Sequence, residues 1–177
     1  MKLNFFYTFL LFSAFSTMYS CSSDVSAATT TPSVSPATTA PSVSPAVVTT
    51  YSYNSLEIQT MDLINNYRVS IGLNALQKIN YISLKSEEHD NYMIANNVVN
   101  HDDFVVRSQD IMNVLGAKTV AENIAYNYST AQAVFDAWLK SPGHKANIEG
   151  DFNHFGISIR INPTNGIKYY TNIFVKI

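Results

Sequence analysis

The sequence predicts an α+β domain in which helices pack on an antiparallel sheet, and three observations carry that prediction. Apolar residues recur at helical spacing from Leu56 to Trp138, the period changes to strict alternation from Phe155 onward, and a turn-forming stretch divides the alternating part into two strands. Helices therefore come first and a hairpin last, unlike the strand–helix repetition of a doubly wound sheet. About 125 residues are available between residue 53 and Ile177, enough to bury a core without covalent staples. That matters because the only cysteine, Cys21, precedes the region.

Each element has its own signals. Leu56, Ile58, Met61, Leu63, Ile64 and Tyr67 mark a first helix, with Asn54 or Ser55 as its N-cap and Gly72 just past its end. Leu84, Glu88, Tyr92 and Met93 mark a second, ending near Asn96 and Asn97. A third, short helix is expected over Ser108 to Leu115, stopped by Gly116. Ser129 or Thr130 caps a fourth, whose Ala131, Val134, Phe135 and Trp138 share a face and which Pro142-Gly143 stops. Asn123 to Tyr126 reads as a further strand. Phe155, Ile157, Ile159 and Ile161 alternate with Gly156, Ser158 and Arg160, and Asn162 to Gly166 turns the chain into a last strand over Ile167 to Ile177.

The N-terminal third is of another kind. Lys2 followed by the apolar run Phe5 to Phe15 reads as an export signal over residues 1–20, too short for the roughly 20 apolar residues of a membrane-spanning helix. Cys21 follows directly in Ser20-Cys21-Ser22, which resembles the lipobox of a bacterial lipoprotein, although Met18 stands where Leu is usual and Tyr19 is bulky. That resemblance implies lipidation at Cys21 and attachment to a membrane; the alternative is a free thiol beside an ordinary cleavage site. Residues 21–52 are dominated by Ser, Thr, Pro, Ala and Val, and Pro32-Ser33-Val34-Ser35-Pro36-Ala37 recurs as Pro41-Ser42-Val43-Ser44-Pro45-Ala46. Such composition offers too little large apolar surface to offset its ordering entropy, so a disordered spacer is expected before a domain over 53–177.

Charge excludes one class of partner. Lys and Arg total 11 against 13 for Asp and Glu, and the three arginines, Arg68, Arg107 and Arg160, are far apart in sequence. No basic cluster exists to track phosphates, so no nucleic-acid partner is expected.

The residue types that carry chemistry fall in three places: Asn100-His101, Ala121-Glu122-Asn123-Ile124-Ala125, and Trp138-Leu139-Lys140-Ser141-Pro142-Gly143-His144-Lys145-Ala146-Asn147-Ile148. Two neutral imidazoles with a carboxylate or water can hold a divalent cation, zinc above all, and an open coordination position would allow Glu122 to act as base in hydrolysis. The competing reading is that Glu122 accepts backbone and imidazole hydrogen bonds and ties loops together. Asn123 and Asn147 are expected to fasten loops through their amides, Trp138 to anchor the core, and His89 and His154 to be structural or solvent-facing. Ser141 lacks the Ser-x-x-Lys or nucleophile-elbow context of a catalytic serine.

The order of these pieces, followed by Phe155-Gly156-Ile157 and Tyr170-Thr171-Asn172-Ile173-Phe174, resembles the CAP superfamily of cysteine-rich secretory, antigen 5 and pathogenesis-related proteins in its short bacterial SCP-like form. The resemblance covers about residues 56 to 177 and implies a three-layer α-β-α sandwich. It also implies a cavity lined by two histidines and two glutamates, of which His101, Glu122 and His144 match three. The position of the second glutamate is Ser141, and the Gly of the usual Gly-Glu-Asn is Ala121. With one acid missing, a mechanism needing two carboxylates loses a member. The expectation is thus an exported, lipid-anchored binding module of the bacterial envelope, with His101, Glu122, Ser141, Asn123 and His144 around a cavity, His101 and His144 as metal ligands, and a peptide, glycan or lipid in the groove. The rival is a metal-dependent hydrolase acting on envelope or extracellular polymer, with Glu122 as its catalytic residue.

Overall fold

A computed structural model describes residues 50–177; the expected signal peptide, Cys21 and nearly all of the spacer lie outside the described residues. Within them the order is α1 (Ser55–Ser70), β1 (Gln77–Lys78), α2 (Asn80–Asn96), α3 (Phe104–Leu115), β2 (Thr119–Tyr126), α4 (Ala131–Lys140), α5 (Pro142–Ile148), β3 (His154–Ile161) and β4 (Lys168–Lys176). The strands lie side by side as β1-β3-β4-β2. The three long strands are antiparallel, and the two-residue β1 joins the β3 edge in parallel. Helices cover both faces, which makes the expected three layers.

Local chemistry explains most boundaries. Asn54 caps α1 by accepting from the Glu57 N–H at 3.0 Å while Glu57 reaches back to the Asn54 N–H at 2.9 Å, a reciprocal pair that satisfies two orphan donors. Asn97 ends α2 and Gly116 ends α3 in the left-handed conformation. Thr130 is the cap of α4. Two expectations are corrected. Pro142 does stop α4, but it also opens α5, because a proline at a first helical position loses no bond and supplies the right φ. And α3 starts a full turn early, at Phe104; Val105 and Val106, each 66% exposed, give that turn no apolar face to read.

The alternation in β3 does not separate core from solvent. Phe155, Ile157 and Ile159 join Met61, Ile64, Phe135, Trp138 and Phe174 in the core under α1 and α4. The intervening Gly156 and Ser158 are also buried, facing α2. Gly156 lets the helix backbone approach: a Cβ there would sit 2.4 Å from the Ser83 nitrogen. The central strand β4 is buried nearly end to end, with Ile173 and Val175 meeting Ile82 and Ile111 on the α2 side.

Burial extends to polar groups. Glu57 is fully buried and receives Arg160 Nη1 at 2.7 Å, the Ile159 N–H at 2.9 Å and the Tyr51 hydroxyl at 2.9 Å, which ties the chain just before α1 to the sheet. Arg68, also fully buried, donates to the carbonyls of Asn74, Ile148, Gly150 and Phe152. Burial draws its pKa down, yet a guanidinium starts so basic that it stays charged. Asp90, buried on α2, accepts from Thr171 at 2.7 Å, and burial holds its carboxyl well above the usual carboxylate range.

Candidate functional site

The free edge of the sheet organises the site. β2 pairs with β4 on one side only, and its middle presents Glu122 and Asn123 beside the α4–α5 corner. The backbone groups of alternate residues point out from that free edge and need partners of their own. Asn147 Nδ2 donates to the Glu122 carbonyl at 3.2 Å and Trp138 Nε1 to the Ile124 carbonyl at 3.0 Å. Asn123, fully buried, donates from Nδ2 to the His144 carbonyl at 3.0 Å and accepts from Asn147 at 2.9 Å. Its side chain is engaged in fastening α5 to the sheet rather than in facing a cavity.

Glu122 is the centre of charge. Its side chain is 1% exposed, and both oxygens are bound: Arg107 Nε donates to Oε2 at 2.8 Å and Nη2 to Oε1 at 2.9 Å, while His101 Nδ1 sits 2.9 Å from Oε1. His89 Nε2 lies 3.8 Å away and is bonded at 2.9 Å to the Asn100 carbonyl. Burial alone pushes the Glu122 pKa up, but the His101 bond, the Arg107 charge and the His89 field outweigh it, and the carboxyl is held below its usual 4.5. It is therefore ionised and bonded at neutral pH.

A carboxylate only accepts, so His101 Nδ1 must donate the proton of that bond, and in the neutral tautomer the lone pair is then on Nε2, across the ring from Glu122. Half of the His101 side chain is exposed. His144, on α5, has its pKa lowered from 6.5, first by burial and second by the positive charge that His101 carries when protonated. His144 and Ser141 share a cleft of about 260 Å³ with Ile124, Tyr126, Tyr128 and Trp138. His101 and Glu122 are joined, then, and Ser141 and His144 are joined, while Asn123 is taken into the scaffold between them.

Sequence reasoning misses Arg107 and His89 as members of the site. In the sequence Arg107 is one of three dispersed arginines, and His89 is a helix residue without a motif. One signal is available: with Ser141 in place of the second acid, Glu122 is a lone carboxylate, and a buried one demands a cation. Nothing in linear spacing says which cation.

The donor set tests what metal could be held. Among the described residues no three His, Cys, Asp or Glu side chains gather as metal ligands. Glu122 has both oxygens engaged by Arg107, which leaves the imidazoles of His101 and His144 as the site's nitrogen donors.

Burial also lowers the pKa of His89, where it outweighs the attraction of Glu122, and of His154. A neutral imidazole held below 6.5 stabilises the fold above that pH, and the contribution is lost as pH falls through the folded value. In an NMR titration the ring protons of His89, His144 and His154 are expected to show midpoints below 6.5. A His89 midpoint at or above 6.5 would mean that the Glu122 charge, not burial, governs that ring.

Comparison with known proteins identifies the family and the fold. The model of the cysteine-rich secretory protein family, CAP, matches residues 61–175. The chain is 33% identical over 124 residues, 68% of its length, to "Uncharacterized membrane protein YlbC" of Bacillus subtilis, and 32% identical over 110 residues, 60% of its length, to "Uncharacterized protein YkwD" of the same organism. It spans only 34% and 43% of those relatives. Among solved structures, an extracellular protein containing an SCP domain from Bacillus anthracis superposes with a TM-score of 0.60 at 26% identity, covering 68% of this chain and 40% of that one. An outer surface protein from Borrelia burgdorferi superposes at 0.59 with 20% identity, covering 66% and 88%, and shows likeness of fold alone. Among the described residues no helix is long and apolar enough to cross a membrane.

Proposed function

Because the chain belongs to the cysteine-rich secretory protein (CAP) family, we propose that it is a binding module displayed outside the cytoplasm, whose His101–Glu122–His144 region holds a divalent cation weakly and presents a groove to a ligand. The observation that carries this reading is the Glu122 clamp. A general base must be free to take a proton near neutral pH, and Glu122 has its pKa lowered and both oxygens bonded to a guanidinium. As an acceptor behind His101 it instead fixes the ring and its tautomer, the part that carboxylates play behind metal-binding histidines. With Ser141 in the place of the second acid, the arrangement favours holding over hydrolysing. A zinc ion bound at His101 and His144 would supply a Lewis acid, while the chain's own residues orient the imidazoles.

Display outside the cell is supported by the relatives: one is called a membrane protein, and one structure is of an extracellular protein. Attachment through a lipid on Cys21 belongs to the same proposal, and loss of fatty-acid label in Cys21→Ser tests it. The cation is tested by calorimetry of the purified chain with zinc. Saturable uptake that disappears in both His101→Ala and His144→Ala is the expected result; uptake unchanged in both variants, or none by the parent, overturns it. Turnover of an ester or peptide substrate that is lost in Glu122→Gln would establish the hydrolase instead.

A further inference from the structure

The binding-module reading leaves the ligand unnamed, and the cleft beside His144 narrows it. Four features of that cleft act together. Its lining of Ile124, Tyr126, Tyr128, Trp138, Ser141 and His144 contains no carboxylate, lysine or arginine, so its own side chains supply no fixed charge to pair with a formally charged ligand. The backbone edge that a peptide would use is partly covered, since Asn147 and Trp138 already donate to the Glu122 and Ile124 carbonyls. The Ser141 hydroxyl, the Tyr128 hydroxyl and the His144 ring make no hydrogen bond to any described residue, so the hydroxyls, and the His144 ring nitrogen that a cation does not take, are available. Finally, the two tyrosine rings are held in place: Tyr126 stands edge-on to Tyr169 with centroids 4.9 Å apart, and Tyr128 edge-on to Tyr170 at 6.4 Å, where the Tyr170 hydroxyl also bonds the Tyr128 carbonyl at 2.6 Å.

We propose that this cleft is a subsite for an uncharged saccharide unit, gripped between the Tyr126 and Tyr128 rings and the polar groups of Ser141, Tyr128 and His144. A sugar ring offers what the lining asks for. Its C–H face packs on aromatic rings, and its hydroxyls both donate and accept, so each uncommitted group of the cleft gains a partner. An acyl chain would leave those polar groups desolvated and unpaired. The volume of about 260 Å³ lies just under the range of drug-sized pockets, suiting a short glycan stretch of which one ring enters. Because the rings are fixed before binding, little ordering entropy opposes the contact.

Trp138 is the only tryptophan of the chain and lines the cleft, so its fluorescence reports occupancy. The full chain is titrated with maltotriose, with chitotriose and with a neutral hexapeptide. A saturable change with either trisaccharide, weakened about tenfold in Tyr128→Ala, is the expected result. Should Tyr128→Ala fail to fold, Tyr128→Phe keeps the ring and removes the hydroxyl, and weakening of at least about threefold supports the subsite. No saturable response to either trisaccharide, a response that neither Tyr128 variant weakens, or saturation by the hexapeptide alone overturns it. Zinc calorimetry on the parent chain separates the two readings: cation uptake by a parent that shows no saturable response to either trisaccharide removes the saccharide assignment and leaves the His101–His144 site standing.

Discussion

Arg107→Ala is expected to cost the domain about 3–5 kcal/mol, the penalty of leaving one member of a buried ion pair without the other. Arg107 and Glu122 are 9% and 1% exposed, and the guanidinium supplies two of the bonds that keep the carboxylate ionised inside the protein. Against a total stability of about 5–15 kcal/mol, such a loss would leave the variant marginal. Removing the charge as well separates pairing from packing: in Arg107→Ala with Glu122→Gln, part of the lost stability should return, because the uncompensated buried charge is gone. Urea unfolding of the parent, the two single variants and the double variant reads the effect. A single-variant loss below about 1 kcal/mol would mean that water, not Arg107, satisfies Glu122. His101 should follow, since its partner Oε1 is also held by Arg107; zinc uptake in Arg107→Ala is expected to weaken even where the protein stays folded.

Gly156→Ala is expected to be as damaging, for a steric reason. The added Cβ would lie 2.4 Å from the Ser83 nitrogen, 2.6 Å from the Ile82 carbonyl carbon and 2.7 Å from the Ile82 Cβ. Two of these atoms are main chain of α2, so no rotamer change relieves the clash and the helix must lift from the sheet. Lifting it strains the Ser83 hydroxyl bond to the Ile157 N–H at 3.1 Å and opens the packing of Ile82 against Ile173. A loss of about 3 kcal/mol or more is expected. Gly143→Ala is the control: it adds the same methyl in a helix with nothing within 4 Å, and should leave the melting temperature nearly unchanged. Equal melting temperatures for the two variants would contradict the close approach of α2.

The two variants also mark where the amino-acid pattern speaks and where it does not. Gly156 in an alternating strand could be read as a solvent-facing position; only the packing of α2 shows that the small residues of β3 face a second core. The helices with local stop and start chemistry, such as α1 with its Asn54–Glu57 box and α3 with Gly116 behind it, are legible because the signals lie within a turn of the boundary. The first turn of α3 and the seven-residue α5 are not: one has its apolar residues in solvent, and the other begins with a residue that more often ends helices. The site divides in the same way. His101, Glu122 and His144 could be picked out because their flanking residues are distinctive in order. Arg107 and His89 could not, since each reaches Glu122 from a different helix and carries no local motif.

The three arginines have a consequence for the environments in which the domain can work. Arg68 gathers carbonyls at residues 74, 148, 150 and 152, Arg107 joins α3 to β2, and Arg160 joins β3 to the buried Glu57 and to Glu87 on α2. Each is a cross-brace between distant parts of the chain, the role that disulfides fill in many small exported domains. A guanidinium brace has no oxidation state and needs no partner enzyme to form. Since residues 50–177 contain no cysteine, their stability is independent of thiol–disulfide poise, and the same fold persists in oxidising and in strongly reducing surroundings.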